Sequence, residues 1–96
     1  MNLRGIVFRA VDDERERQNK KWGEQNHGDL YWLGILVEEV GELSQAIIQD
    51  RFSENVEKEL LHVIAVAVSW AECHLRHTGS AVALREPQVK FDEQSR

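Results

Sequence analysis

The segment Trp32-Leu33-Gly34-Ile35-Leu36-Val37-Glu38-Glu39-Val40-Gly41-Glu42-Leu43 sets three carboxylates inside a strongly apolar run. Glu39 and Glu42 are spaced to project side by side from a helix, and so are Glu38 and Glu42. Like charges at these spacings repel by roughly 0.2–0.5 kcal/mol on an isolated helix, so helix propensity gives no reason for the cluster. A bound cation does. A second polar set, Glu59 and His62, stands at the edge of another apolar run, Leu60-Leu61-His62-Val63-Ile64-Ala65-Val66-Ala67-Val68-Ser69-Trp70-Ala71. Carboxylate and imidazole groups brought together there would form a divalent-metal site of the kind that helical bundles build in their cores.

Two helices must position these groups. Leu33, Leu36 or Val37, Val40, Leu43 and Ile47 recur with the period of one buried helix face, which predicts a helix over 30–49. Asp29 is its expected N-cap, and Gly34 and Gly41 are weak points that would let another helix approach closely. Asp50-Arg51-Phe52-Ser53 reads as a turn, with Ser53 as N-cap and Glu54 and Glu57 near the first turn of a helix that runs to about His77 and stops at Gly79. The β-branched richness of this last run also admits a buried strand, but its length and charged lead-in favour a helix, the most enclosed element of the chain. On it Glu59, His62 and Ser69 share a face.

A connection this short forces an antiparallel hairpin. Counted from the turn, the Glu39–Glu42 and Glu59–His62 pairs lie within about one helical turn of each other, so they should face across the interface. Without a cation such carboxylates would raise one another's pKa or splay apart. The alternative is that the acids merely keep a helix edge in water.

A first helix is expected from Leu3 to Lys21, its run Asp12-Asp13-Glu14-Arg15-Glu16-Arg17 a solvated face with internal pairs such as Asp13 with Arg17. Lys20 to Asp29 has the two glycines and amides of a loop, in which Trp22 is either a ligand contact or a lid on the core. Beyond Gly79, Ala81, Val82 and Leu84 suggest a short fourth helix, Pro87 interrupts, and Lys90 to Arg96 reads as a frayed tail. The expected fold is therefore all-α: one domain over 1–96, a hairpin-based bundle of about four helices completed by a second copy of the chain, a dimer or tetramer.

Twelve basic against seventeen acidic residues give a net charge of −5, with no basic stripe for extended nucleic acid. There is no charged-then-apolar leader and no apolar run of about 18 residues, so export and membrane insertion are not indicated and the cytoplasm is the expected compartment. Cys73 stands alone, which excludes an intramolecular disulfide; it reads as a small buried hydrophobe.

Glu38-Glu39-x-x-Glu42, followed after a hairpin by Glu59-x-x-His62, resembles the EExxE…ExxD signature of the MazG-type nucleotide pyrophosphohydrolases of the all-α NTP pyrophosphatase superfamily. Lys21-Trp22-Gly23-Glu24-Gln25 is similar to the corresponding segment of small phage and bacterial members, and the resemblance spans roughly Val11 to Arg76. It implies an oligomeric helical enzyme that binds a nucleoside triphosphate through Mg²⁺ and cleaves between the α- and β-phosphates, releasing a monophosphate and pyrophosphate. By position, Glu39, Glu42 and Glu59 match the family's metal-binding carboxylates. Glu38 matches the first acid of the motif, a position that orients or activates water.

The departure is His62, where the family has Asp. Imidazole suits Mn²⁺, Fe²⁺ or Zn²⁺ better than Mg²⁺. Three readings stay open: a weaker Mg²⁺ site of three glutamates, a preference for Mn²⁺ with His62 as ligand, or a His62 that hydrogen-bonds a carboxylate or substrate. Base contacts would fall to Trp22, Gln25, Asn26 and His27, and phosphate contacts to Lys21 or Lys58. The runner-up function is a nucleotide-binding or helical interaction protein with weak or lost catalysis.

Overall fold

The structure, a computed structural model, describes residues 1–79. Among them stand three α-helices and no strand: α1 (Leu3–Trp22), α2 (Asp29–Asp50) and α3 (Glu54–Thr78). The all-α expectation holds. The fourth helix and frayed tail expected after Gly79 lie outside the described residues. No helix among those described is long and apolar enough to cross a membrane.

Local chemistry sets the helix ends. Asn2 Oδ1 accepts the Gly5 N–H at 3.0 Å and caps α1. Gly23 and Gly79 end α1 and α3 at φ 76° and 64°, left-handed values that glycine alone reaches without steric cost. The Gly79 N–H donates to the Leu75 carbonyl at 2.8 Å, which closes the last turn of α3. Asp29 is not the N-cap of α2. Gly28 takes that position, and Asp29 opens the helix with its Oδ1 accepting the Trp70 indole N–H at 2.9 Å. Ser53 does occupy the N-cap of α3, though its side chain makes no capping bond.

The turn between α2 and α3 is fixed by Asp50, whose Oδ1 accepts the Phe52 N–H at 3.1 Å and whose carbonyl accepts the Ser53 N–H at 3.0 Å. The two helices pack along each other, and α3 also packs on α1. Between α2 and α3 lies the core: Trp32, Val66 and Cys73 are buried, with Ile35, Leu36 and Trp70 packed around them. Ala65 is fully buried, which allows close approach at the middle of α3.

The stripe of α2 that turns inward is not the one the apolar period suggested. Trp32, Ile35, Leu36, Glu39, Leu43 and Ala46 are buried or half-buried, whereas Leu33, Val37, Val40 and Ile47 are exposed. The helix is apolar on two sides, so periodicity alone could not choose between them. Nor do Gly34 and Gly41 admit another of the described helices: a Cβ built at either meets nothing within 4 Å among the described residues. They belong to the exposed side with Leu30, Leu33 and Val37.

Helix α1 overturns part of the solvated-run expectation. Val11, Glu14, Arg15 and Gln18 follow i, i+3, i+4, i+7 spacing and form its inward stripe, with Val11 and Glu14 buried. Arg17 pairs with Glu14 at 2.6 Å, not with Asp13. Arg15 reaches Glu72 of α3 at 2.6 Å and ties the two helices together.

Trp32 carries the largest share of this small core, being 2 % exposed. Trp32→Ala should lower the unfolding free energy by about 3–5 kcal/mol, read as a fall in the urea midpoint at constant slope.

Candidate metal centre

Hairpin packing sets Glu39 of α2 against Glu59 and His62 of α3. One ligand atom from each lies within 4.8 Å of the others, and all three residues are half-buried. His62 Nδ1 stands 3.3 Å from Glu59 Oε1, close enough for an ion pair. Glu39 Oε2 and Glu59 Oε1 are buried and accept no hydrogen bond. Glu59 Oε1 has only the His62 ring beside it and Glu39 Oε2 has nothing, and a buried carboxylate oxygen without a donor is costly unless something positive meets it. The donor set, two carboxylates and an imidazole, fits a divalent cation that takes oxygen and nitrogen ligands.

The Glu39 carboxyl is held above the ordinary carboxylate range. Burial is the main cause and the charge of Glu42 the next; His62 opposes the shift, while Glu59 and Glu38 add to it. Glu42 and Glu38 are both exposed, and neither belongs to the converging set. Helical geometry explains the split. Glu39 lies on the Trp32–Leu43 stripe, whereas Glu42 is displaced from it by about 60° and Glu38 by about 100° around the axis.

Beside the cluster is a cavity of about 280 Å³ that Glu39 and His62 line together with Trp32, Ile35, Val66 and Ser69. Its other wall is α1, through Glu14, Arg17 and Gln18. Glu14 accepts Arg17 Nε at 3.0 Å, Arg17 Nη2 at 2.6 Å and Gln18 Nε2 at 3.2 Å. The Arg17 hydrogen bonds and charge, aided by Gln18 and His62, hold its carboxyl below the usual range against the opposing effect of burial.

The residues expected to meet substrate divide into groups. Trp22 and Gln25 line the same cavity as Glu39 and His62. Lys21 is exposed, with its Nζ 5.0 Å from the Trp22 ring. Asn26 and His27 line a different groove, near Cys73, His74 and His77. There Asn26 Oδ1 accepts Arg76 Nη2 at 3.0 Å, and His27 stacks on Tyr31 at 4.4 Å. Lys58 lines an apolar groove between α1 and α3 with Ile6, Val7 and Leu61, and the structure does not bring it to the cluster.

Sequence reading missed Glu14, Arg17 and Gln18. The available signal was the Val11-Glu14-Arg15-Gln18 spacing, masked by the surrounding charges. Cys73 is buried as expected, with Sγ 3.5 Å from His77 Nδ1; burial pushes the thiol up, but contacts with Trp32, the His27 backbone and His77 bring it below its usual range.

No known protein family, curated protein or solved structure matches this chain.

The raised Glu39 carboxyl has a direct consequence for stability. Without metal, folding favours its protonated form, so this stabilisation is complete below the ordinary glutamate pKa and is lost as pH rises through the raised value. In a chelator, Glu39→Gln should therefore melt higher than the wild type at about pH 7, the difference vanishing toward about pH 4. Millimolar Mn²⁺ should raise the wild-type melting temperature and leave Glu39→Gln unmoved.

Proposed function

We propose that this chain is a metal-dependent nucleoside triphosphate pyrophosphohydrolase that converts a (d)NTP to a (d)NMP and pyrophosphate. The observation that carries the reading is the convergence of Glu39, Glu59 and His62 beside a cavity large enough for part of a small organic ligand. The resemblance of Glu38-Glu39-x-x-Glu42 and Glu59-x-x-His62 to the MazG-type signature adds the reaction. Such an enzyme works in the cytoplasm, among free nucleotides.

Glu39, Glu59 and His62 would hold the cation. When bound, Mg²⁺ or Mn²⁺ supplies charge neutralisation at the phosphate oxygens and lowers the pKa of attacking water. His62, as the nitrogen ligand, tilts the preference toward Mn²⁺. Glu42 and Glu38, both exposed on α2, would contribute a further oxygen to the incoming cation and orient water, respectively. Lys21, at the end of α1, meets the phosphates from the solvent side. A triphosphate alone would be repelled by the clustered carboxylates, which makes binding dependent on the cation.

A second copy of the chain would cover the exposed stripe Leu30, Leu33, Val37, Val40 and Ile47, with Gly34 and Gly41 permitting close approach. The engaged ring of His62 also supports a second reading, a nucleotide-binding protein with slow chemistry. Under that reading His62→Asp gains turnover.

Pyrophosphate release from a panel of ribo- and deoxyribonucleotides under Mg²⁺ and Mn²⁺ tests the main reading. Turnover is expected with at least one nucleotide, faster under Mn²⁺. Glu39→Gln should lose more than the roughly 10–100-fold that an outer-shell substitution costs. No release from any nucleotide under either metal rejects hydrolysis. Separately, Val37→Glu should convert an oligomer into a species near 11.1 kDa by sedimentation, with its helical signal retained.

A further inference from the structure

Helix α1 brings to the cavity a buried carboxylate with no ligating role in the metal cluster. Glu14 is 9 % exposed and lines the same space as Glu39 and His62. Its position is over-determined: Arg17 forks onto both carboxylate oxygens, Gln18 Nε2 donates to Oε2 at 3.2 Å, and Gln18 Oε1 accepts Arg15 Nη1 at 3.0 Å. Arg15 is anchored in turn on Glu72 of α3 at 2.6 Å. These contacts hold the Glu14 carboxylate in one orientation, while Arg17 and Glu72 themselves stay open to solvent.

Three donors occupy Glu14, and an ionised carboxylate offers about four acceptor sites, so one remains for an N–H donor from the cavity. Arg15 Nε donates to nothing but is closed to a ligand, having almost no accessible surface. The wall therefore offers one open acceptor position, on Glu14. Beyond it lie the apolar surfaces of Trp32, Ile35 and Val66, with the Trp22 ring at the rim. About 280 Å³ falls just below the roughly 300–1,000 Å³ of pockets that enclose a whole drug-sized ligand, which suits a single ring whose sugar and phosphates lie outside.

We propose that this cavity is the base subsite, and that Glu14 selects an amino-bearing pyrimidine, whose exocyclic amine donates to the open acceptor position of the carboxylate. This rests on the nucleotide reading above and deepens it. A uracil in the same pose sets a carbonyl oxygen against the Glu14 carboxylate, and two acceptors facing each other in a buried site leave both unsatisfied.

The test is calorimetric titration of the full chain, with Mn²⁺ present, using cytidine and uridine 5′-monophosphates and the monophosphate of the 2-pyrimidinone riboside, which keeps the ring and lacks the amine. Cytidine monophosphate should bind about ten-fold more tightly than either of the others. In Glu14→Gln, whose amide can turn its N–H₂ toward a carbonyl, the cytidine preference over uridine should disappear. The proposal is overturned by equal or tighter binding of the uridine or amine-free compound, by a preference that survives in folded Glu14→Gln, or by absence of binding. The wild-type comparison decides alone should Glu14→Gln fail to fold. Binding needs no turnover, so the two readings fail separately. A cytidine preference without pyrophosphate release rejects hydrolysis only, and release without a base preference rejects the subsite only.

Discussion

Glu39 is carried on the stripe of α2 that also buries Trp32 and Ala46, so the packing that holds the hairpin together turns a carboxylate toward the polar groups of α3. Moving it out would mean rotating the helix and exposing an indole that is 2 % accessible. Burying a Trp side chain outweighs the discomfort of a half-buried carboxylate, because apolar burial contributes about 25 cal/mol per Å² while the acid has protonation as an escape. The upward shift of the Glu39 carboxyl is the visible trace of this conflict. A cation bound there would resolve it without changing the packing.

The same logic extends to α1. Beyond Val11 its inward stripe is polar and ionic, and it meets α3 through Arg15 and Glu72. Each buried charge there has a partner: Glu14 has Arg17 and Gln18, and Arg15 has Gln18, Asn19 and Glu72. An ionic network whose Arg17 and Glu72 are open to solvent adds little net stability, since water screens the pairs. It does fix orientation. The result is a cavity with an apolar floor from α2 and α3 and a rigid polar wall from α1, beside the acids.

Much of this was legible in residue order. The hairpin followed from a four-residue turn, the level of Glu39 against Glu59 and His62 followed from counting outward from it, and Gly79 announced the end of α3. Which side of α2 turns inward was not legible. The helix has a second apolar stripe through Leu33, Val37 and Val40, and only the indole of Trp32 settles the choice by its size. That rotation also separates Glu39 from Glu38 and Glu42, which sequence spacing treats alike. The charged run of α1 was unreadable for a related reason: Glu14 and Arg15 carry the same letters as their solvated neighbours, and burial is decided by what α3 offers opposite them. Lys58 and His27 show the converse, since residue type suggested ligand contact and the fold placed them elsewhere.

The central claim is that Glu39, Glu59 and His62 form one cation site. Titration of the isotopically labelled protein with sub-stoichiometric Mn²⁺, followed by amide and side-chain NMR, reads it directly through paramagnetic broadening. Loss of signal should begin at Glu39, Glu59 and His62, reach Glu42 and the cavity residues Glu14 and Ser69 later, and be abolished in Glu39→Gln. Broadening confined to exposed acids such as Asp12, Asp13 and Glu54, or unchanged in Glu39→Gln, would contradict it.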